Sequence, residues 1–238
     1  MNTLAKASLS VLLVCMANSA SAGFGLSNLK SMASAVQGGT ANSGGAVDIN
    51  GFMEKASIVN QLFMESRTQL ALMLADKTMV AELQGKLDTL QKTSDPKERK
   101  AQLATINTLS QSALEAANQD QAATAAALAS ASSESKQKAV NALTNFVIAS
   151  LRATDLAPAG QSALSSLTAN PTQAMSLAGK ASNLKDLVVD VKGIATNSTM
   201  ALTQIPSIMT KAKIPFTMPT SAATQPVDAS NLLGGTGN

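Results

Sequence analysis

Residue types that could carry out chemistry are few in this 238-residue chain, and histidine is absent altogether. Without an imidazole there is no general base of the usual kind, no Ser–His or Cys–His nucleophile pair and no histidine metal ligand. The nearest approach to a catalytic motif is Ser-x-x-Lys in the form Ser-Asn-Leu-Lys, at Ser27–Lys30 and again at Ser182–Lys185. One helical turn brings amine and hydroxyl together, as in penicillin-recognising serine enzymes, but the companion Ser-Asp-Asn and Lys-Thr-Gly motifs are missing. We therefore interpret both as exposed helix starts and predict that the protein is not an enzyme.

The carboxylates are spread singly along the sequence, which favours solvated helix faces over a metal site. The sequence has neither the Glu-x-x-His pairs of a di-metal bundle nor an Asp-x-Asp-x-Asp-Gly calcium loop. The spacing of the acids alone does not exclude a pair of catalytic carboxylates like that of a glycosidase, but there is no Trp or Tyr to stack on a sugar. Glycine spacing fits no nucleotide-binding motif. We predict no cofactor and no metal, and interpret as exposed the acids Glu54, Glu65, Asp76, Glu82, Asp88 and Glu115.

Composition also bears on the partners. The formal net charge is +3 and the aromatic residues are five phenylalanines, so neither a basic footprint nor a stacking platform for nucleic acid is present. The 11 methionines are interpreted as filling of a plastic, aromatic-poor core rather than as a copper site. We predict a protein partner or a second copy of the chain, with a lipid or membrane surface as the alternative, and no nucleic acid.

The first 22 residues have the pattern of a secretory signal peptide. Lys6 precedes a short apolar stretch that ends at Met16, and Ala20-Ser21-Ala22 is a small-residue cleavage site. Cleavage after Ala22 would remove Cys15, the single cysteine, and leave a chain without thiols. At about ten residues the apolar stretch is too short for a membrane anchor. The predicted location is the periplasm or the outside of the cell.

The elements that would position any site are helices. Residues 23–47 predict a short amphipathic helix followed by a Gly/Ser-rich linker. A helical body over 48–205 begins at Asp48, which can cap the first helix. Apolar residues then recur with a period of about 3.5, the pattern of a helix that packs lengthwise on another. This stripe is the candidate interaction seam, and it comprises Phe52, Val59, Phe63, Leu70 and Met73.

Further helix boundaries are predicted within the body. The stripe slips near Asp76, which predicts a break there, and Asp95-Pro96 predicts the start of a new helix. Ten alanines within residues 113–131 predict an alanine-lined helix contact. The broadest apolar face follows over residues 139–151 and predicts the centre of the bundle. It is also the candidate apolar or membrane face, interrupted by Asn141, Thr144 and Asn145, and it comprises Val140, Leu143, Phe146, Val147 and Leu151.

In the rest of the chain, proline and glycine residues predict where helices begin and end. We predict a turn over Asp155 to Gly160 followed by a short helix through Leu167, and another helix that starts at Asn170-Pro171. Helical periodicity then runs to residue 205, and Pro206 opens an extended tail over 206–238. Apolar residues at alternate positions, Ile214, Phe216 and Met218, predict that this tail lies in a groove of the bundle.

Together these patterns predict an all-α protein with no strands. The expected architecture is an elongated bundle of about five or six helices with a short N-terminal helix, a flexible linker and an extended C-terminal tail. The expected function is that of an exported, non-enzymatic protein–protein interaction or scaffold component. The alternative is a membrane-engaging or apolar-ligand-binding helical protein, with residues 139–151 inserting or lining the site.

Overall fold

The structure is a computed structural model that describes residues 48–169 and 181–227, and within these ranges the protein is an all-α bundle without strands. The all-α fold class is therefore confirmed. Four predictions lie outside the described residues: the signal peptide, the helix and linker over 23–47, the helix start at Asn170-Pro171 and the end of the tail from residue 228.

Six α-helices form the main body of the bundle. They are α1 (Ile49–Leu74), α2 (Lys77–Lys92), α3 (Pro96–Gln119), α4 (Gln121–Ala129), α5 (Ser133–Ala169) and α6 (Ala181–Thr196). A π-helical turn, Met200–Gln204, leads directly into a short α7, Ile205–Lys211.

Aspartate side chains cap the first three helices: Asp48 and Asp95 where the sequence predicts a helix start, and Asp76 where it predicts a break. Asp48 Oδ1 accepts a hydrogen bond from Gly51 N at 2.9 Å. Asp76 Oδ1 accepts from the N–H groups of residues 78 and 79, and Asp95 Oδ1 from those of residues 97 and 98. Each cap satisfies backbone donors that have no partner inside the helix. The break near Asp76 and the helix start at Pro96 are thereby confirmed.

A fourth aspartate divides the alanine-rich region into two helices. Asp120 follows the last residue of α3, and its Oδ1 accepts from Ala123 N at 3.1 Å, the first turn of α4. Ala113, Ala117 and Ala125 are buried on either side of this break. The predicted alanine-lined contact exists, but it belongs to two helices.

The first helix, α1, lies at the centre of the bundle. It packs against α5, α3 and α6, and its residues from Leu62 to Ala71 are buried around almost the whole circumference. Five consecutive polar residues, Glu65 to Gln69, are therefore buried as well. The prediction that Glu65 lies on a solvated face is wrong, because neighbouring helices cover the side of α1 opposite the apolar stripe.

One long helix replaces the predicted turn over Asp155 to Gly160. Helix α5 continues through Pro158 to Ala169, although proline removes a backbone donor and is costly inside a helix. Packing on both sides explains the continuity: Leu156 and Ala163 are buried, and a Cβ built at Gly160 would lie 2.9 Å from Phe52 Cζ and 3.2 Å from Val188 Cγ2. The glycine lets α5 approach α1 and α6, so tertiary contacts outweigh the local signal.

The tail also begins later than predicted. Pro206 stands in the first turn of α7, directly after a π-helical turn, so helical structure continues through a proline that cannot donate to the preceding turn. The π-helical turn precedes it, with Ile205 N–H donating to Met200 O. Ile205, Ile208 and Met209 are fully buried at helical spacing. The helix ends at Lys211, and residues 214–221 have no helical structure.

Candidate functional site

The candidate site is a groove along α5 that holds residues 222–227 of the tail. Asn145, completely buried on α5, pairs with both main-chain groups of one tail residue. Its Nδ2 donates to Val227 O at 2.9 Å, and Val227 N donates to Asn145 Oδ1 at 2.9 Å. A side-chain amide carries one donor group and one acceptor. Here it forms the pair of bonds that a neighbouring strand would otherwise supply.

Two turns further along α5, Arg152 holds the start of the same segment. Its Nε donates to Ala222 O at 2.9 Å and its Nη2 to Thr224 O at 3.0 Å. The residue is only 2% exposed, and burial lowers the pKa of its guanidinium below the ordinary value. No carboxylate among the described residues pairs with it. The tail carbonyls are therefore the groups that compensate the removal of this charge from water.

The two clamps define the direction and the shape of the bound segment. Asn145 and Arg152 are seven residues apart, about 10 Å along a helix, and the extended stretch from Thr224 to Val227 spans about the same distance. Because residue 222 lies at Arg152 and residue 227 at Asn145, the segment runs antiparallel to α5. Its first part, residues 222–224, forms a turn in which Thr224 N donates to Ser221 O at 3.1 Å. We refer to residues 222–227 as the tail segment and to its site on α5 as the tail groove.

Every hydrogen bond that the two clamps form is to the main chain of the tail segment. Among the tail side chains, Pro226 is buried and Val227 is half-buried, whereas Ala223 and Gln225 are exposed. The groove thus recognises the main chain of a turn and of the short stretch that follows it, together with one buried proline.

The predicted placement of the preceding apolar residues in a groove is met in part. Ile214 is buried and Phe216 is half-buried, but Met218 is exposed. The contact of the tail with the bundle therefore weakens after Phe216 and is resumed by the tail segment.

The predicted interaction seam lies inside the bundle. Four of its residues are part of the core, and the fifth, Met73, is half-buried and packs against it. Phe63 stacks on Phe146 of α5 with ring centroids 4.8 Å apart. The seam thus joins helices of the same chain, and the core members are Phe52, Val59, Phe63 and Leu70.

The predicted apolar face is also internal. Leu143, Phe146 and Val147 are buried, while Val140 and Leu151 are half-buried and pack against the core. Residues 139–151 thus belong to the core, where α5 packs against the central helix α1. Among the described helices, none combines the length and hydropathy that a bilayer-crossing segment requires.

The remaining candidate groups are dispersed. Ser182 and Lys185 are exposed on α6, and Ser27–Lys30 lies outside the described residues. The described residues hold no group of three acidic, histidine or cysteine side chains that could bind a metal ion. The candidate acids other than Glu65 are exposed: Glu54, Asp76, Glu82, Asp88 and Glu115.

The sequence patterns did not predict the residues that hold the tail: Asn145 interrupts an apolar face, and Arg152 follows it seven residues later. The signal they do carry is this spacing, because two polar residues at i and i+7 of a helix with a broad apolar face lie on the same side and need buried partners. Comparison of the chain with protein-family models, with curated proteins and with solved structures finds no match in any of the three.

Proposed function

We propose that the chain is an exported, non-enzymatic helical protein that acts as an interaction or scaffold component, in the periplasm or outside the cell. The observation that carries the proposal is the tail groove, in which the side chains of Asn145 and Arg152 hydrogen-bond only to the main chain of the tail segment. A groove of this kind binds any copy of the segment equally well. The occupant we propose in the assembled state is the tail segment of a second copy.

Exchange of identical segments is a low-cost route to oligomers, because the same contacts are formed between copies as within one. The connection from α7 to the tail segment suits such exchange. Residues 214–221 are not helical, and most of them are exposed or half-buried. The energetic difference between closed and exchanged forms is then set by the connection and by protein concentration rather than by the groove.

Export is supported by the signal-peptide pattern of the first 22 residues. A non-enzymatic role is supported by the residue types of the whole sequence, which contains no histidine and loses its single cysteine on cleavage after Ala22. Membrane engagement remains the competing function. It would require α5 to expose Leu143, Phe146 and Val147, which are now buried against the rest of the bundle.

The test is exchange between labelled copies of residues 23–238. One preparation carries a donor dye on a cysteine introduced at the exposed Thr154, beside Arg152, and the other an acceptor on a cysteine at the exposed Gln225. The predicted mature chain has no other cysteine, so labelling is specific. We expect energy transfer after mixing, together with an oligomer of defined mass by light scattering.

A matched pair of tail variants separates exchange from other association. Val227→Pro removes the N–H group that donates to Asn145 Oδ1, whereas Val227→Ala retains both main-chain hydrogen bonds. Energy transfer should be lost with Val227→Pro and retained with Val227→Ala. A monomer that gives no transfer at any concentration would overturn the proposal, and so would a monomer that moves to the fraction of phospholipid vesicles.

A further inference from the structure

A second feature of the bundle is a cleft of about 410 Å³ between α1, α3 and α6. This volume falls within the range of small-molecule sites, about 300–1,000 Å³. The cleft opens to solvent at α6, where Val189 is 60% exposed. Its lining includes Phe63 and Phe146, and the polar residues that line it include Asn60, Arg67, Asn107, Glu115 and Asp190.

Arg67 of α1 is the unusual member of this lining. It is only 8% exposed, its guanidinium carbon lies 5.0 Å from the centre of the Phe63 ring, and its Nε has no hydrogen-bond partner. Burial lowers the pKa of Arg67 to about 10, so the group stays charged at neutral pH. A desolvated guanidinium with an unused donor is costly unless an acceptor reaches it. Such a group at the wall of a cavity favours a ligand with a carboxylate.

The same cleft also has acceptors that favour a cation. Asn107 Oδ1 is buried without a hydrogen-bond partner, and the carboxylate of Asp190 accepts from Asn60 Nδ2 at 2.9 Å. Lys100, the nearby cation, forms its ion pair with Asp186 at 3.1 Å. Burial, together with the charge of Asp186, raises the pKa of Asp190. Asp190 would therefore be stabilised in its charged form by an ammonium group.

Charge balance decides between the ligand classes. A simple anion would meet Arg67 but also the carboxylates of Glu115 and Asp190, and a simple cation would leave the unpaired Nε donor of Arg67 unused, although the charge of Glu115 acts on this guanidinium. We infer that the cleft binds a small zwitterion of the α-amino-acid type, with its carboxylate at Arg67 and its ammonium at Asp190. The apolar lining from Phe63, Phe146 and Met200 would receive the side chain. The inference goes beyond the proposed scaffold function, because the clamps of the tail groove take no part in the cleft.

The experiment is a calorimetric titration of residues 23–238 with the standard L-amino acids at millimolar concentration. The tightest binder is then compared with its carboxamide, which lacks the carboxylate, and with its des-amino acid, which lacks the ammonium. We expect at least one amino acid to bind, and we expect removal of either charge to weaken binding at least about tenfold. Absence of binding by every amino acid, or a des-amino acid that binds as tightly as its parent, would overturn the inference.

Two variants assign the charges to residues. Arg67→Gln should weaken binding of the amino acid at least about tenfold and leave binding of its carboxamide unchanged. Asp190→Asn should weaken binding of the amino acid and leave binding of the des-amino acid unchanged. A general loss of structure would weaken all ligands alike, and an equal effect on all ligands contradicts the assignment. Asp190 is exposed at the rim, so Asp190→Asn carries the test if Arg67→Gln does not fold. Lys192→Gln, exposed on α6 outside the cleft, is the control and should change nothing.

Discussion

Asn145 and Val227 are 82 residues apart in the sequence and exchange two hydrogen bonds of 2.9 Å in the structure. The amide side chain is completely buried, so its donor and acceptor depend on Val227 for their satisfaction. An unsatisfied buried amide costs more free energy than the bond itself contributes. The docking of the tail and the stability of the bundle are therefore coupled at this pair.

The first prediction concerns Asn145→Ala, which leaves the main-chain groups of Val227 without their partner and opens a small cavity on α5. We expect the free energy of unfolding to fall by about 2–3 kcal/mol. Urea denaturation followed by ellipticity at 222 nm measures it. Asn141→Ala, one turn earlier on the same helix, removes only a hydrogen bond with Gln137 that is exposed to solvent and should cost less than about 0.5 kcal/mol. Equal losses for the two variants would contradict the role of Asn145.

The second prediction concerns Arg152→Met, which keeps an apolar stem and removes the charge. Two charge-assisted bonds to the tail carbonyls are lost, but the desolvation cost of a guanidinium without a carboxylate partner is lost as well. We therefore expect a local effect: the Val227 N–H should exchange with solvent at least about tenfold faster, whereas amides of α1 change little. Hydrogen exchange by NMR distinguishes the two regions. Uniform acceleration across the bundle would show that Arg152 stabilises the whole fold instead.

Local signals predicted the helices whose starts depend on nearby residues. Asp48, Asp76 and Asp95 each cap a helix through donors two or three residues away, so four or five residues of sequence contain the whole interaction. Pro158 shows the limit of the same reasoning. Its local cost is offset by contacts of Gly160 with helices α1 and α6, and no window of sequence contains those partners.

The polar residues of the sites were harder to predict for a related reason. Polar residues opposite an apolar stripe are normally solvated, but α1 is surrounded, so Glu65 and Arg67 are buried. Whether a helix is central or peripheral depends on the packing of the whole bundle. The role of Arg152 could not be predicted, because its partners are main-chain carbonyls of the tail. Every residue type carries such a carbonyl, so the sequence does not indicate which of them accept.

The third prediction uses two glycines within helices. Gly160→Ala places a methyl group 2.9 Å from Phe52 Cζ and should lower the free energy of unfolding by about 1–3 kcal/mol. Gly85→Ala on α2 meets no atom within 4 Å and should raise it by about 0.5–1 kcal/mol, because alanine favours helix. Thermal unfolding of the two variants beside the parent chain measures both. If Gly160→Ala were as stable as Gly85→Ala, the close approach of α5 to α1 would be wrong.

The fourth prediction concerns the end of α7, where Lys213 has a φ of +57°. Ile214 N donates to Met209 O across this residue, the pattern of a helix end that favours glycine in the left-handed position. Lys213→Gly removes the side-chain strain and should raise the free energy of unfolding by about 0.5–1 kcal/mol. Lys211→Gly, inside the last turn of α7, is the control and should lower it by about as much. The same urea titration measures both, and a loss with Lys213→Gly would count against the left-handed conformation.

The fifth prediction concerns Glu65, which is 2% exposed and has Gln61 as its hydrogen-bond partner at 3.1 Å. Burial raises its pKa from 4.5 to about 7, so between these values the folded state holds a proton that the unfolded state releases. The free energy of unfolding therefore falls as the pH rises through this window, by about 3 kcal/mol in total from this group. Glu65→Gln keeps an acceptor for Gln61 and removes the titrating carboxyl group. It should flatten the pH dependence of the free energy of unfolding between pH 4.5 and 7, with the largest gain in stability above pH 7. Denaturation of the parent chain and of Glu65→Gln across this pH range compares the two profiles. A slope that persists in Glu65→Gln would assign the effect to another group.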